Sequence, residues 1–190
     1  MPVDGPQVTD SPDRTDPVPV STTVNGRPVT VCTSAATLLV DFLRDELGLR
    51  GTKRSCDVQM CGTCTVLVDG RPVSSCCHLA VDVDRRDVRT IEGLADPADT
   101  GNSIYQLFED AFVHHAAVQC GFCTPGFLVT LTSLVRDGTL HAGSRSGQIC
   151  AALRGNICRC TGYEPILHAV ESVLATLPTP TASGEQGGTA

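Results

Sequence analysis

The chain has 190 residues and a formal net charge of −7; 41% of its residues are hydrophobic and 18% are charged. This length suits two compact domains, and the acidic balance argues against a nucleic-acid partner, which would require clustered Lys and Arg. No apolar run approaches the roughly 18 residues of a membrane span, and the first residues do not resemble an export signal. We therefore expect a cytoplasmic protein with no membrane span.

Two hairpins and one helix are predicted in the first part of the chain. Alternating Val and Thr residues on both sides of Asn25-Gly26 predict a β-hairpin, and a second one is predicted around Asp69-Gly70. Between them, apolar residues from Leu39 to Leu47 fall at helical spacing, and Gly48 is placed to end the helix. These elements are typical of a small α+β sheet domain.

The sequence after Asp96-Pro97-Ala98-Asp99, a predicted linker, has helical periodicity. Four helices are predicted there: one from Ile104 to Phe112, one with Thr124 as N-cap and Pro125 as first residue that ends at Gly138, a short one around Gln148 to Leu153, and one from Ile166 to Leu177. We expect these four helices to form a small bundle.

The composition divides the chain into four segments. Residues 1–17 and 178–190 are rich in small and polar residues and in Pro, so both are expected to be flexible tails. Residues 18–95 are predicted to form the sheet domain, and residues 96–177 the helical domain.

Cysteine is the residue type out of proportion, with 11 residues against 4% aromatics and no Trp. Without a secretion signal, cysteines persist as thiols and are more often metal ligands or redox centres than disulfides. The odd number weakens the disulfide interpretation further. The cysteines are therefore the leading candidates for functional residues.

The sheet domain contains Cys56, Cys61 and Cys64 in the spacing C-x4-C-x2-C, and the second hairpin brings Cys76 back toward their loop. This is the spacing of plant-type 2Fe-2S sites, in which four thiolates hold two irons. Four cysteines can also hold structural zinc, but gaps of four and two residues are unusual for zinc. The spacing therefore favours an iron–sulfur cluster at this first set.

The helical domain contains a second set, Cys120 and Cys123 just before one helix and Cys158 and Cys160 between two others. The amides at helix junctions can offset the negative charge of a bound cluster. Spacing alone leaves zinc and an iron–sulfur cluster about equally favoured here.

Three cysteines lie outside both sets. Cys32 and Cys150 are predicted to be small buried apolar residues. Cys77 adjoins Cys76, and because neighbouring side chains in a strand point to opposite faces, we expect only one of the two to bind metal. No histidine has the spacing of a metal site, and no catalytic motif is visible, so we expect no substrate chemistry on this chain.

Three motifs extend beyond the cysteines. They read Cys61-Gly-Thr-Cys-Thr-Val-Leu-Val-Asp-Gly, Gln119-Cys-Gly-Phe-Cys-Thr-Pro-Gly-Phe and Gly155-Asn-Ile-Cys-Arg-Cys-Thr-Gly-Tyr. In this order they resemble the small iron–sulfur subunit of the xanthine oxidase and aerobic carbon monoxide dehydrogenase family of molybdenum hydroxylases. The resemblance covers about residues 20–177 and removes most of the zinc alternative.

The resemblance implies a β-grasp, ferredoxin-like 2Fe-2S domain followed by an all-α four-helix 2Fe-2S domain. It implies that the cluster distal to molybdenum is held by Cys56, Cys61, Cys64 and Cys76, and the proximal one by Cys120, Cys123, Cys158 and Cys160. It also implies that Gln119 and Cys160 lie against the pterin of the molybdenum cofactor.

The function implied by the resemblance is electron transfer within a larger oxidoreductase. Electrons would pass from a molybdenum cofactor on a large subunit through the two clusters to FAD on a medium subunit, in a dimer of heterotrimers. The alternative is a free-standing two-cluster ferredoxin, although a lone carrier needs no second domain. A third hypothesis, a structural subunit stabilised by zinc, predicts a colourless protein.

The first cysteine loop departs from the family pattern, which usually has glycine at the positions of Ser55 and Gln59. Glycine supplies positive φ and close backbone approach, so these side chains are expected to affect the loop and the distal potential rather than the ligands. Arg154 stands where serine is usual, and Cys77 is an uncommon neighbour of Cys76.

Overall fold

The computed structural model describes residues 17–95 and 103–178. The predicted linker and the predicted tails lie outside these residues, except for Pro17 and Pro178. Pro17 begins the first strand, one residue before the predicted start of the ordered part.

Five strands form one mixed sheet in the first half of the chain. They are β1 (Pro17–Val24), β2 (Arg27–Ser34), β3 (Thr65–Val68), β4 (Arg71–Ser74) and β5 (Asp87–Arg89). Their order across the sheet is β2-β1-β5-β3-β4, with β1 and β5 parallel and all other neighbours antiparallel. The sheet therefore places one hairpin on each side of β5.

Both predicted hairpins are confirmed, and each is closed by a two-residue turn of positive φ. The φ angles are +52° at Asn25 and +76° at Gly26 in the first turn, and +49° at Asp69 and +78° at Gly70 in the second. Turns of this kind match the right-handed twist of the flanking strands. The turn residues therefore fix the register of both hairpins.

Strand β5 was not predicted from the sequence. It has only three residues, too few for an alternating pattern to be recognised. Its central residue, Val88, is fully buried and pairs with Val24 of β1 and Val68 of β3. Tertiary pairing rather than local sequence therefore makes this strand.

Six α-helical segments lie in the described residues. They are α1 (Leu39–Asp41), α2 (Ile91–Leu94), α3 (Ser103–His114), α4 (Thr124–Arg136), α5 (Ser146–Ala152) and α6 (Glu164–Thr176). The helix predicted before Gly48 is α1 with a π-helical continuation over Phe42–Glu46. Each of the four helices predicted later in the chain overlaps one of α3 to α6, whereas the single turn α2 was not predicted. None of the described helices has the length and apolar character needed to cross a bilayer.

Helix α4 begins slightly earlier than predicted. Thr124 is its first residue rather than its N-cap, and the preceding Cys123 already has helical backbone angles, φ −83° and ψ −19°. Pro125 fits the first turn because its missing N–H has no intrahelical partner there. The start of α4 therefore fixes the position of a cysteine from the second set.

The described residues form two apolar cores that meet at β3. The first core packs the sheet against α1 and includes Val66 and Val68. The second lies among α3 to α6 but also includes Leu67 of β3 and Leu94 of α2. Because successive strand residues point to opposite faces, β3 contributes to both cores. Helix α4 packs against β3 and β4, so the helices are docked on the back of the sheet.

Candidate functional site

The first cysteine set is assembled by the loop before β3 and by the return of β4. Cys64 and Cys76 are buried and form a small cluster with Val40. Ser75 joins the two segments, since its amide and its hydroxyl both donate to the Cys64 carbonyl oxygen, at 3.3 Å and 2.7 Å. Burial raises the pKa of the Cys64 thiol to about 12, and the neighbouring Cys76 thiol adds to the shift. The second hairpin thus returns Cys76 to the loop, as predicted.

Cys56 lies in a half-exposed turn of the same loop and accepts hydrogen bonds from backbone amides. The Met60 N–H donates to Cys56 Sγ at 3.4 Å. Amides of Val58 and Met60 lower the pKa of the Cys56 thiol to about 6, because they stabilise a negatively charged sulfur. The loop can curl around this sulfur because φ is +54° at Asp57 and +56° at Gln59.

One of the two departures from glycine carries the conformation that glycine usually provides. Gln59 adopts positive φ, whereas Ser55 does not. An L-residue in the left-handed region costs roughly 1–2 kcal/mol because Cβ approaches the backbone carbonyl. The first loop is therefore strained at Gln59 and not at Ser55.

Arg54 holds the outer side of this loop. Its guanidinium donates to Asp57 at 2.9 Å and to both carboxylate oxygens of Asp41 at 2.6 Å. The hydrogen bonds that Arg54 donates to Asp57 and Asp41 raise the pKa of its guanidinium. Since Asp41 belongs to α1 and Asp57 lies between two cysteines, Arg54 ties the loop to the helix. No sequence pattern had singled out this residue.

The second cysteine set comes from the segments that precede α4 and α6. Cys160 Sγ lies 3.5 Å from Cys120 Sγ, and the thiols of Cys123 and Cys158 also interact directly. Burial raises the pKa of Cys123 to about 12. The fold thus brings together cysteines that are about 40 residues apart in the sequence.

Cys158 differs from its neighbours in electrostatic surroundings. Burial opposes its ionisation, but the hydroxyl and amide of Thr161 and the amide of Cys160 donate to the sulfur and bring its pKa below the ordinary value. Thr161 Oγ1 is 3.2 Å from Cys158 Sγ. A negatively charged sulfur is therefore favoured at this position.

Tyr163 fixes the segment that carries Cys158. Its hydroxyl accepts the Cys158 N–H at 3.1 Å and donates to the Asn156 carbonyl at 3.2 Å. Its ring meets Phe127 of α4 nearly edge-on, with centroids 6.4 Å apart. The backbone of Tyr163 has φ +72°, a conformation that persists only where surrounding contacts hold it. Its place in the third motif was the only sequence signal for this role.

The loop that carries Cys61 (the first cysteine segment) is in direct contact with the residues around α4 and before α6 that carry the second set (the second cysteine segment). The Ile157 N–H donates to the Cys61 carbonyl at 2.9 Å. A Cβ on Gly62 would overlap the Gly155 carbonyl, and a Cβ on Gly126 would overlap the Gly62 carbonyl. Glycine is therefore required at two positions for the backbones to approach this closely.

A cavity of about 180 Å³ lies at the junction of the two segments. It is lined by cysteines from both sets: Cys61, Cys120, Cys123 and Cys160. Its rim includes Phe122 and Ile157, which are 44% and 42% exposed. Gln119, Cys120 and Cys160 are also exposed, so this end of the second set faces outward.

The cysteines of each set lie near one another without surrounding a single point. Within residues 17–95 and 103–178, no three Cys, His, Asp or Glu side chains are placed to hold one metal ion. Cys160 and Cys120 lie 3.5 Å apart at their sulfurs, Cys76 Sγ lies 3.7 Å from Cys77 Sγ, and burial together with the neighbouring thiols of Cys158 and Cys76 raises the pKa values of Cys123 and Cys64. Four cysteines near one another in each set match the four thiolates that a 2Fe-2S cluster takes, two on each iron.

The predictions for two of the remaining cysteines were wrong. Cys32 and Cys150 are exposed rather than buried. Cys32 lies on the edge strand β2, and the described side chains of α5 bury only Ile149, so neither element covers its cysteine. Cys77 is exposed and Cys76 buried, but the reason differs from the predicted strand alternation, because both belong to a 3-10 turn over Ser75–Cys77.

Comparison with known proteins agrees with this geometry. A 2Fe-2S iron-sulfur cluster binding domain matches residues 22–95, and a [2Fe-2S] binding domain matches residues 90–171. The chain is 41% identical to the nicotine 6-hydroxylase small subunit of Paenarthrobacter nicotinovorans over 84% of its own length and 92% of the relative. It is 43% identical to the caffeine dehydrogenase subunit gamma of Pseudomonas sp. (strain CBB1), over 83% and 91% of the two chains.

A solved structure shares the fold as well as the sequence. Quinoline 2-oxidoreductase from Pseudomonas putida 86 contains a chain that superimposes with a TM-score of 0.75 at 36% identity. The match covers 85% of this chain and 95% of that one. At this identity and coverage, the similarity extends to the class of protein and not only to the fold.

The two domain matches first define the class, an electron-transfer protein with two 2Fe-2S domains built from a mixed sheet and helices. The chain belongs to the small iron–sulfur subunits of the xanthine oxidase family of molybdenum hydroxylases. Its cofactors are two 2Fe-2S clusters, and the complexes of this family carry the molybdenum-pterin cofactor and FAD on other subunits. It is thus the electron-transfer component of an oxidoreductase.

Proposed function

We propose that the two cysteine sets are the cluster ligands. The distal cluster would be bound by Cys56, Cys61, Cys64 and Cys76, and the proximal cluster by Cys120, Cys123, Cys158 and Cys160. The support is that the fold gathers each set: Ser75 joins the Cys64 and Cys76 segments, and Cys160 Sγ lies 3.5 Å from Cys120 Sγ. The amides around Cys56 and the Thr161 hydroxyl at Cys158 further favour negatively charged sulfur.

The hydrogen bond between Cys61 and Ile157 is the main support for electron transfer between the two clusters. Ile157 directly precedes Cys158, so the 2.9 Å contact gives a short bonded route between one ligand of each cluster. The clusters supply one-electron carriers, which allow a two-electron oxidation elsewhere in the complex to be drained one electron at a time. This chain's residues fix the two carriers side by side.

The outward end of the second set is the proposed contact with the large subunit. Gln119 and Cys160 are exposed next to Cys120, as a position against the pterin of the molybdenum cofactor requires. At the first set, Val58 and Met60 are each 64% exposed on the cysteine loop. This loop is the proposed contact with the medium, FAD-binding subunit.

The proposed organisation follows the predicted boundaries. Residues 18–95 form a β-grasp domain, which the strand order β2-β1-β5-β3-β4 supports, and residues 96–177 form a four-helix domain. The complex is a dimer of heterotrimers, and its location is cytoplasmic, in keeping with eleven free cysteines.

We further propose that the complex oxidises a nitrogen-containing heteroaromatic ring. The support is that the similar proteins named above are a nicotine hydroxylase, a caffeine dehydrogenase and a quinoline oxidoreductase. Turnover of nicotine, caffeine and quinoline by the purified complex, with a simple aldehyde as control, tests the proposal. Oxidation of the aldehyde alone would contradict it.

Low-temperature EPR of the dithionite-reduced complex, with iron and zinc measured on the same sample, tests the cluster assignment. Two distinct 2Fe-2S signals and about four irons per chain are expected. One signal, or zinc in place of iron, would mean that the second set is structural. A chain that purifies with both clusters and without partner subunits would instead indicate a free-standing ferredoxin.

A further inference from the structure

Two threonine hydroxyls lie against sulfur atoms of the proposed ligands, one in each cysteine segment. Thr63 Oγ1 is 3.3 Å from Cys61 Sγ, and Thr161 Oγ1 is 3.2 Å from Cys158 Sγ. Both are within the distance of a hydrogen bond to sulfur. Among the described residues, each set therefore has a threonine hydroxyl in contact with one of its sulfurs.

The direction of both hydrogen bonds follows from the chemistry of the ligand. A thiolate bound to iron carries no proton, so the sulfur can only accept and the threonine must donate. Thr161 Oγ1 already accepts the Tyr163 N–H at 3.2 Å, which leaves its own hydrogen free to point at Cys158. Thr63 is only 5% exposed, so bulk water does not compete for its hydroxyl.

A hydrogen bond donated to a ligand sulfur stabilises the reduced cluster, whose extra electron increases the negative charge on the sulfurs. We propose that Thr63 and Thr161 set the two reduction potentials separately, each raising the potential of the cluster whose ligand it contacts. The inference rests on the proposed function, since it takes Cys61 and Cys158 as ligands of different clusters. It adds residues that do not bind iron but determine how readily each cluster accepts an electron.

Thr63→Val and Thr161→Val test the proposal in the complete complex, because valine keeps the shape of threonine and removes the hydroxyl. An EPR-monitored redox titration should show that Thr161→Val lowers the midpoint potential of one signal only. Thr63→Val should lower that of the other signal only. Thr63→Ser and Thr161→Ser, which retain the hydroxyl, should leave both midpoints at the wild-type values.

Valine variants that keep both signals at unchanged midpoints would overturn the proposal. So would an equal shift in the valine and serine variants, which indicates a packing effect. If a valine variant does not assemble, the serine and alanine variants at that position can be compared, since they differ by the same hydroxyl. A lower midpoint potential for the alanine variant supports the proposal. Equal midpoint potentials overturn it. Failure of the proposed function is distinguishable, because wild-type complex would then lack one of the two signals.

Discussion

The two cysteine segments are held in their conformations by different kinds of interaction. In the first, the backbone itself is bent around Cys56 by left-handed residues at Asp57 and Gln59, and exposed ion pairs of Arg54 hold the bend. In the second, helix α4 begins at the cysteines and Tyr163 fastens the segment from within. The first loop therefore depends on backbone conformation, and the second on a part-buried side chain packed against the helical core.

This difference predicts unequal responses to substitution. Surface ion pairs are screened by salt and contribute little individually, whereas hydrogen bonds protected from water persist. The first loop should be the more easily altered without loss of the fold. The second should tolerate change poorly, because its anchors also belong to the helical core.

The largest effect is expected from Cys123→Ala, which separates the two sites. One EPR signal should disappear, iron should fall from about four to about two per chain, and turnover with the physiological acceptor should be lost. Cys150→Ala is the matched control, since Cys150 is exposed and outside both sets. Unchanged signals and turnover in the Cys123 variant would remove it from the ligand set.

Gly126→Ala should break the contact that joins the two segments. The added Cβ would overlap the Gly62 carbonyl, and because backbone cannot yield as a flexible side chain does, we expect about 1–3 kcal/mol of destabilisation. Thermal unfolding of the assembled complex measures it. Gly147→Ala in α5, whose Cβ would have no neighbour within 4 Å, should leave stability equal or slightly higher. Equal unfolding midpoints for both variants would contradict the close packing.

The smallest effect is expected from Gln59→Gly in the first cysteine loop. Relief of the positive φ should exceed the added freedom of glycine in the unfolded chain, a net stabilisation of about 1 kcal/mol or less. The rate of cluster loss under chelator challenge should therefore fall. Val58→Gly, at a position without positive φ, should not slow cluster loss. Faster loss in the Gln59 variant would show that its side chain, not its backbone, supports the loop.

Much of the fold could be predicted because local signals were strong. Asn25-Gly26 and Asp69-Gly70 specify turns that only one hairpin geometry satisfies, and Gly48 and Gly138 have the positive φ expected just after helices. Strand β5 could not be predicted, since its three residues are ordered by neighbours distant in sequence. The exposure of Cys32 and Cys150 was missed because periodicity does not reveal which elements lie at an edge.

The cysteines of the candidate site could be predicted from the sequence, but the residues that hold them in place could not. Spacing and motifs identified two sets of four cysteines, and their role as ligands stays a prediction that the spectroscopic experiments test. The roles of Arg54, Tyr163 and Thr161 arise only when the chain is folded, because each contacts residues through geometry rather than through a spacing rule. Sequence motifs contained Thr161 and Tyr163 without indicating what they contact.

The hydrogen bond from Ile157 to Cys61 also has a consequence for how the protein matures. Each cysteine segment helps to fix the backbone of the other. Iron and sulfide inserted at one site would therefore preorganise the neighbouring site. Loading of one site should then speed insertion at the other without being required for it.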